Sequence, residues 1–318
     1  TCPARRPRAP LGGRGGTARG GTPPPPADEP VPHERVTVVV VTYHPGPELE
    51  EFAISLAGAT RRPVDLVIVE NGDDPTVARE IGSRHGATVV VNDENLGYGW
   101  AANIGAARLA PTPWLVVANP DLVWAPGALD TLLDAAERHP VAGALGPRVL
   151  NPDGTTYPSA RALPTLVDGI GHAVLGRVRP GNRWTRRYLD DSHPDPDAER
   201  EAGWLSGSCL ALRRVAFDQV GGFDEGYFMF FEDVDLGDRL GRAGWRSVVV
   251  PTAVVTHAQG HSWRSAPEPM LRAHHASAAR YLGRRYPRWY HWPLRVALRA
   301  GLAVRLAGQL AGARRRAR

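Results

Sequence analysis

Lysine does not occur in this 318-residue chain; all 38 of its long basic side chains are arginines. That bias reflects GC-rich coding rather than chemistry. Cysteine is almost absent too, with only Cys2 and Cys209. Two cysteines make neither a disulfide framework nor a zinc quartet, and their scarcity suits a reducing cytoplasm. No uncharged apolar run reaches about 18 residues, so no transmembrane helix is predicted. Residues 1–32 are rich in Pro, Gly and Arg and hold no apolar segment, which argues against a signal peptide. The turn after the first predicted strand is Thr42-Tyr43-His44-Pro45-Gly46, so a Gly-x-Gly-x-x-Gly dinucleotide fingerprint is missing, as is a P-loop. A nucleotide, if bound, is held by other means.

What is present starts with charge at the ends. The formal net charge is +5, but the first 22 residues carry five arginines and no acid, and the last 24 carry seven and no acid. Such ends read as disordered tails or as contacts with an anionic surface. Residues 1–34, with Pro23 to Pro26, read as a disordered leader. Apolar content of 42% is enough for a core. Residues 35–267 read as one catalytic-type domain and 268–318 as a helical, basic C-terminal region.

The run Val36 to Val41 is continuously β-branched, the mark of a strand buried on both faces. Further strands are predicted at 66–69, 88–91 and 114–118, with helices at 48–59, 76–85, 100–109 and 128–138. This alternation argues an α/β fold with a doubly wound, mostly parallel sheet. Beyond it, 204–213 reads as one strand-like run, 236–243 as helix, 247–250 and 253–256 as strand-like, and the chain from Met270 as helix. Residues 150–200 read as irregular.

Ligands of such sheets bind at the carboxyl ends of the strands. Those ends carry Thr42-Tyr43-His44, Glu70-Asn71-Gly72-Asp73, Asn92-Asp93-Glu94-Asn95 and Asn119-Pro120-Asp121. All four are polar and three contain carboxylates, which makes nucleic acid a poor partner for this domain. Glu70 beside Asn71 suits either a turn or the reading of a base edge. Asn95 to Gly105 places Gly97 and Gly99 at a helix start, with Asn103 on the face of Gly99. Asp121 suits Mg2+ or Mn2+, and His257 would complete a mixed oxygen and nitrogen site.

The densest signal is Tyr227 to Leu236, where four aromatics and a methionine run into Glu232, Asp233 and Asp235. Ionised carboxylates are not buried unpaired, so the aromatics form a wall and the acids its mouth. Asp235 suits the first turn of a helix. One of the others suits a general base toward a hydroxyl.

Taken in order, Val40 to Tyr43, Glu70 to Gly72, Asn95 to Gly99, Asn119 to Asp121, Trp204 to Ser208, Phe230 to Leu236 and His257 to Ser262 resemble the family 2 GT-A glycosyltransferases, which invert configuration. The resemblance spans about 36–285. It implies a GT-A fold with nucleotide-sugar and acceptor halves. Gly171 to Arg177, Gly203 to Cys209, Asp235 to Trp245 and Met270 to His275 are most similar to actinobacterial rhamnosyltransferases that act on a polyprenyl-diphosphate-linked GlcNAc. That subfamily builds the linker between arabinogalactan and peptidoglycan.

By resemblance, Asp233 is the base with Glu232 beside it, and Asp121 and His257 hold Mg2+ or Mn2+. Thr42, Tyr43, Glu70, Asn71, Asn95, Gly97, Asn103 and Asn119 form the nucleotide set. Trp204, Ser206, Gly207 and Ser208 face donor sugar and acceptor. Asn119 departs from the family's Asp-x-Asp, which makes His257 more necessary, and Glu70 replaces a usual aspartate. The implied partners are a dTDP-sugar donor, a lipid-linked acceptor and a membrane surface on the cytoplasmic side. Trp289 to Pro293 and the basic helix after it suit an interfacial anchor or an ordinary terminal helix. Another nucleotide-sugar donor, or a non-catalytic sugar-nucleotide or lipid binder, are the alternative readings.

Overall fold

The computed structural model describes residues 35–164, 197–258 and 267–316. The leader over 1–34, most of the stretch over 150–200, the Gly171 to Arg177 motif, and His261 with Ser262 lie outside the described residues.

Strand β1 (Val36–Thr42) is buried along its whole length. It pairs in parallel with β2 (Val64–Glu70) on one side and β4 (Trp114–Ala118) on the other. Strand β3 (Thr88–Val91) extends this parallel half beyond β2. Because strand side chains alternate, Val36, Val38 and Val40 enter one core layer. There they meet Leu49, Phe52 and Leu56 of α1 (Glu48–Ala59) and Leu129 and Leu132 of α4 (Ala128–Arg138). Val39 and Val41 enter the other layer, against Ala101, Ala102 and Ala106 of α3 (Tyr98–Arg108). Helix α2 (Thr76–Arg84) contributes Ala78 and Ile81 to the first layer.

Beyond Ala118 the sheet becomes mixed. Its order is β3-β2-β1-β4-β11-β6-β12-β5, where β5 is Leu122–Trp124, β6 Ala142–Leu150, β11 Cys209–Arg213 and β12 Arg246–His257. Strand β11 runs antiparallel to both neighbours, while β12 is parallel to β6. Strands β7 (Thr156–Tyr157) and β9 (Arg200–Ala202) pair with β6 and β12. A second small ladder joins β8 (Ala160–Arg161) to β10 (Trp204–Leu205).

Strand β6 escapes sequence reading because Gly143, Gly146 and Pro147 break its pattern. Pro147 removes a ladder donor where β12 changes register, between Val250 and Val254. The two predicted runs 247–250 and 253–256 are therefore one strand with an irregularity. The run 204–213 is instead two strands, divided by the Ser206 to Ser208 turn.

Helix α5 (Arg214–Gln219) follows β11. Helix α6 (Glu232–Arg242) begins four residues before its predicted start, so it opens on the acids. Helix α7 (Pro267–Arg285) packs beneath the aromatic turn, with Tyr281 clustered with Tyr227 and Val234. A 3₁₀ turn (Trp289–His291) leads to α8 (Trp292–Arg316). Among the described residues no helix is long and apolar enough to cross a membrane.

Candidate active site

The parallel half delivers its strand ends to one edge. Glu70, fully buried, closes β2. A buried carboxylate needs donors, and three are present. Thr42 donates its hydroxyl to Oε2 at 2.5 Å, and the backbone N–H groups of His44 and Gly72 reach Oε1 at 3.1 and 2.6 Å. Both oxygens of Glu70 are thus engaged inside the protein, where they tie the ends of β1 and β2 together. Asn71 donates to the Gly97 carbonyl at 3.3 Å and accepts from Asn92 at 2.7 Å. Tyr43 is exposed, edge-on to His44.

Gly97 is the contact between this edge and the aromatic turn. Its φ is +88°, and a Cβ there would lie 2.0 Å from the Phe228 carbonyl oxygen. That same carbonyl accepts the Tyr98 N–H at 3.1 Å. Asn95 accepts the Gly97 N–H at 3.0 Å and shapes the turn. Asn103 does not reach Glu70 or Asn71. Its amide is spent on Phe223, giving to the carbonyl and accepting from the N–H at 2.9 Å each. It braces the loop that leads to the aromatic turn.

Asp121 and His257 come together from distant parts of the chain, because β5 lies antiparallel to the end of β12. Asp121 Oδ1 is 2.9 Å from His257 Nε2, and both side chains are nearly buried. The Asn119 amide lies 3.3 Å from the same Nε2, while His257 Nδ1 has no partner. One carboxylate, one imidazole and an adjacent amide fit Mg2+ or Mn2+, which complete their shells with substrate phosphates and water. Among the described residues no third His, Cys, Asp or Glu joins them.

The turn Ser206 to Ser208 links this pair to the acids of α6. The Asn119 N–H donates to the Ser208 carbonyl at 2.9 Å, and the Gly207 N–H donates to Asp233 Oδ2 at 2.9 Å. Ser206 accepts from the N–H and hydroxyl of Ser208 at 3.3 and 3.1 Å. Trp204, just before the turn, donates its indole N–H to the Ala162 carbonyl and lies under the Arg161 guanidinium.

Asp233 Oδ1 accepts the Val234 N–H at 2.8 Å. Burial raises the Asp233 pKa, opposed by its backbone donors and by the Arg161 charge. Glu232 is 7% exposed, and its Oε2 has no partner. Burial, then the Asp233 charge, push its pKa up to about 8. Both acids are therefore harder to ionise than free carboxyls, and the Asp233 charge adds to the effect on Glu232. A carboxylate of raised pKa is suited to take a proton from a hydroxyl. Phe230 and Phe231 precede it with φ of +67° each, a conformation that bulky residues rarely adopt. His274 of α7 packs edge-on to both rings, and Ser277 donates to the Met229 carbonyl at 2.8 Å.

Two residues of this site escaped sequence reading. Tyr98 donates its hydroxyl to the Gly207 carbonyl at 2.6 Å; its place inside Asn95 to Gly99 was the available signal. Arg161 stands in a stretch with no periodicity, and only the β8–β10 pairing brings it to Trp204.

A family model described as glycosyltransferase like family 2 matches residues 32–276. The chain belongs to that family. It is 50% identical over 279 residues to the N-acetylglucosaminyl-diphospho-decaprenol L-rhamnosyltransferase of Mycobacterium tuberculosis, covering 84% of this chain and 90% of that protein. Rhamnosyltransferase WbbL of Escherichia coli is 28% identical over 69% of this chain and 82% of its own. A crystal structure of GalNAc-T7 with UDP, GalNAc and Mn2+ superposes with a TM-score of 0.53 at 16% identity, over 70% of this chain and 44% of that one, a likeness of fold.

Proposed function

We propose that this chain transfers L-rhamnose from dTDP-L-rhamnose to N-acetylglucosaminyl-diphospho-polyprenol, the lipid-linked acceptor of arabinogalactan–peptidoglycan linker synthesis, by a single inverting displacement. The observation that carries this reading is the acid pair of α6, with Asp233 held by the Gly207 N–H beside the buried Glu232, whose pKa burial pushes up to about 8. The 50% identity to the mycobacterial rhamnosyltransferase supports the choice of donor and acceptor.

Asp233 accepts the proton of the acceptor hydroxyl as that oxygen attacks the anomeric carbon, and dTDP leaves from the opposite face. Thr42, Tyr43, Glu70 and Asn71 form the nucleotide edge, which Asn95, Gly97 and Asn119 shape and Asn103 braces. Trp204 with Ser206 to Ser208 forms the sugar-facing wall. Asp121 and His257 would hold Mg2+ or Mn2+, which neutralises charge on a leaving diphosphate when bound. The Mn2+ bound with nucleotide in GalNAc-T7 supports a divalent ion.

The acceptor is a lipid, so the protein works at the inner face of the membrane, peripherally. Trp289 and Trp292, 80% and 58% exposed, offer interfacial aromatics beside Arg288, Arg295 and Arg299.

The test is incubation with dTDP-L-rhamnose, Mg2+ or Mn2+, and a GlcNAc-diphospho-polyprenol. A rhamnosyl-GlcNAc lipid is the expected product. No product from this donor, with another nucleotide sugar succeeding, would overturn the assignment of the donor.

A further inference from the structure

The short ladder of β8 on β10 decides where Arg161 stands. Ala160 lies opposite Leu205 and Arg161 opposite Trp204, while the Ser206 N–H donates to the Ser159 carbonyl at 2.7 Å. Side chains directly opposite in an antiparallel ladder share a face. The Arg161 guanidinium carbon accordingly sits 5.5 Å from the Trp204 ring centroid and 6.0 Å from that of Tyr157. Its Nε donates to the Pro158 carbonyl at 2.9 Å. Two rings and one carbonyl thus fix a side chain that is ordinarily mobile.

The same guanidinium has no counter-charge in contact. Among the described residues its Nε bond is its one hydrogen bond, and no carboxylate pairs with it. Arg148 and Arg246, on neighbouring strands, are by contrast paired with Asp197 and Glu201. Arg161 is half-buried, and neither of its terminal nitrogens is a sealed atom lacking a partner, so both stay in contact with solvent. A fixed, planar fork with two open donor groups matches a phosphate in geometry and charge.

Two phosphate groups are at hand in the proposed reaction. The donor diphosphate has Asp121 and His257 as its metal holders. Arg161 stands nearer to the other substrate's path. Its partner Trp204 runs into the turn whose Gly207 N–H holds Asp233, and the Arg161 charge reaches Asp233, where it opposes the effect of burial. A cation fixed beside the proposed base meets whatever the acceptor carries beside its reacting hydroxyl. In a sugar linked to a polyprenyl diphosphate, that is the diphosphate, one sugar ring away.

We infer that Arg161 binds the diphosphate of the lipid-linked acceptor through its two free terminal nitrogens, and so selects a diphosphate-bearing acceptor over a neutral glycoside. The inference rests on the acceptor proposed above. Tyr157, which flanks Arg161, is also edge-on to His257 with centroids 6.5 Å apart, so the donor diphosphate is the competing ligand that the experiment has to separate.

The test is calorimetric titration of the full chain, without donor. One ligand is GlcNAc-diphosphate carrying a short prenyl chain; the other is the neutral GlcNAc glycoside of the same chain. Wild type is expected to bind the diphosphate about tenfold or more tightly than the glycoside, and Arg161→Gln to lose that preference. Arg161→Lys keeps the charge but cannot remake the Nε bond to Pro158, and it is expected to recover part of the preference. No preference in wild type, or a preference that survives Arg161→Gln, would overturn the inference. An equal loss for both ligands, unrelieved in Arg161→Lys, would do the same and make Arg161 a brace of the ladder. In steady-state transfer, Arg161→Gln is expected to raise KM for the lipid acceptor about tenfold with donor KM unchanged. A rise in donor KM alone would put Arg161 on the donor diphosphate and sink the inference. Diphosphate binding that Arg161→Gln weakens, without rhamnosyl transfer by wild type, would remove the proposed donor and leave the role of Arg161 standing.

Discussion

Gly207 holds Asp233 from one side of a single peptide turn, its N–H 2.9 Å from Oδ2, while Tyr98 grips the Gly207 carbonyl at 2.6 Å. Tyr98 thus positions the proposed base through the turn between them. Tyr98→Phe strands the carbonyl and is expected to lower kcat about tenfold with little change in KM for donor, at a stability cost of about 1 kcal/mol. Steady-state kinetics and thermal melting check both parts. A rise in KM with kcat unchanged would instead make Tyr98 a binding residue.

The acids of α6 are expected to separate under substitution. Asp233→Asn should reduce kcat by about 10² to 10⁴ with the fold intact, whereas a non-catalytic protein would lose nothing in function. Glu232→Gln mimics the protonated state and should keep most activity at pH 7. Stability follows the same pair. A carboxyl raised to about 8 in the folded state is protonated in both states below its ordinary pKa of 4.5. Between these values the unfolded chain ionises and the folded one does not, so stability falls as pH rises. Wild-type melting temperature should decline from about pH 4.5 to 8, and Glu232→Gln should flatten that decline.

Gly97 admits no side chain. Gly97→Ala meets both the positive φ and the Phe228 carbonyl, so a loss of at least about 2 kcal/mol is expected. Urea unfolding measures it. The aromatic turn should loosen as well, which exchange of the Tyr98 amide against solvent would report.

Asp121→Asn and His257→Ala are each expected to weaken Mn2+ binding by tenfold or more, read by the electron paramagnetic resonance of free Mn2+ with nucleotide present. Unchanged Mn2+ affinity in both variants would remove the pair from the proposed metal site. Chelation of the ion should stop transfer by wild type.

Trp289→Ala combined with Trp292→Ala should weaken sedimentation with anionic vesicles several-fold. Transfer to a short, water-soluble acceptor analogue should be unaffected. Equal vesicle binding by the double variant would place the membrane contact elsewhere.

The parallel half of the sheet was legible because its strands are buried on both faces. Val36 to Val41 is continuously β-branched and Trp114 to Ala118 continuously apolar for that reason, and residues after such strands are at the ligand edge in any doubly wound sheet. Local chemistry also pointed to Asp233 and Glu232 as candidates, since three acids behind an aromatic run have no ordinary core explanation. Strand β6 was not legible, because Gly143 faces Trp245 and Gly146 faces Leu205, so close packing demanded residues with no strand signature.

The amino-acid sequence by itself determined the alternation of elements, the family motifs and which residue types stand at the strand ends. Only the tertiary structure decided how they are used. Pairing of β5 with β12 brings Asp121 to His257 across 136 residues, which no local pattern encodes. Burial raises the pKa of both Glu232 and Asp233, an electrostatic consequence of the folded state alone. Asn103 is tied to Phe223 and Glu225 because hydrogen-bond partners are settled only when the distant loop arrives.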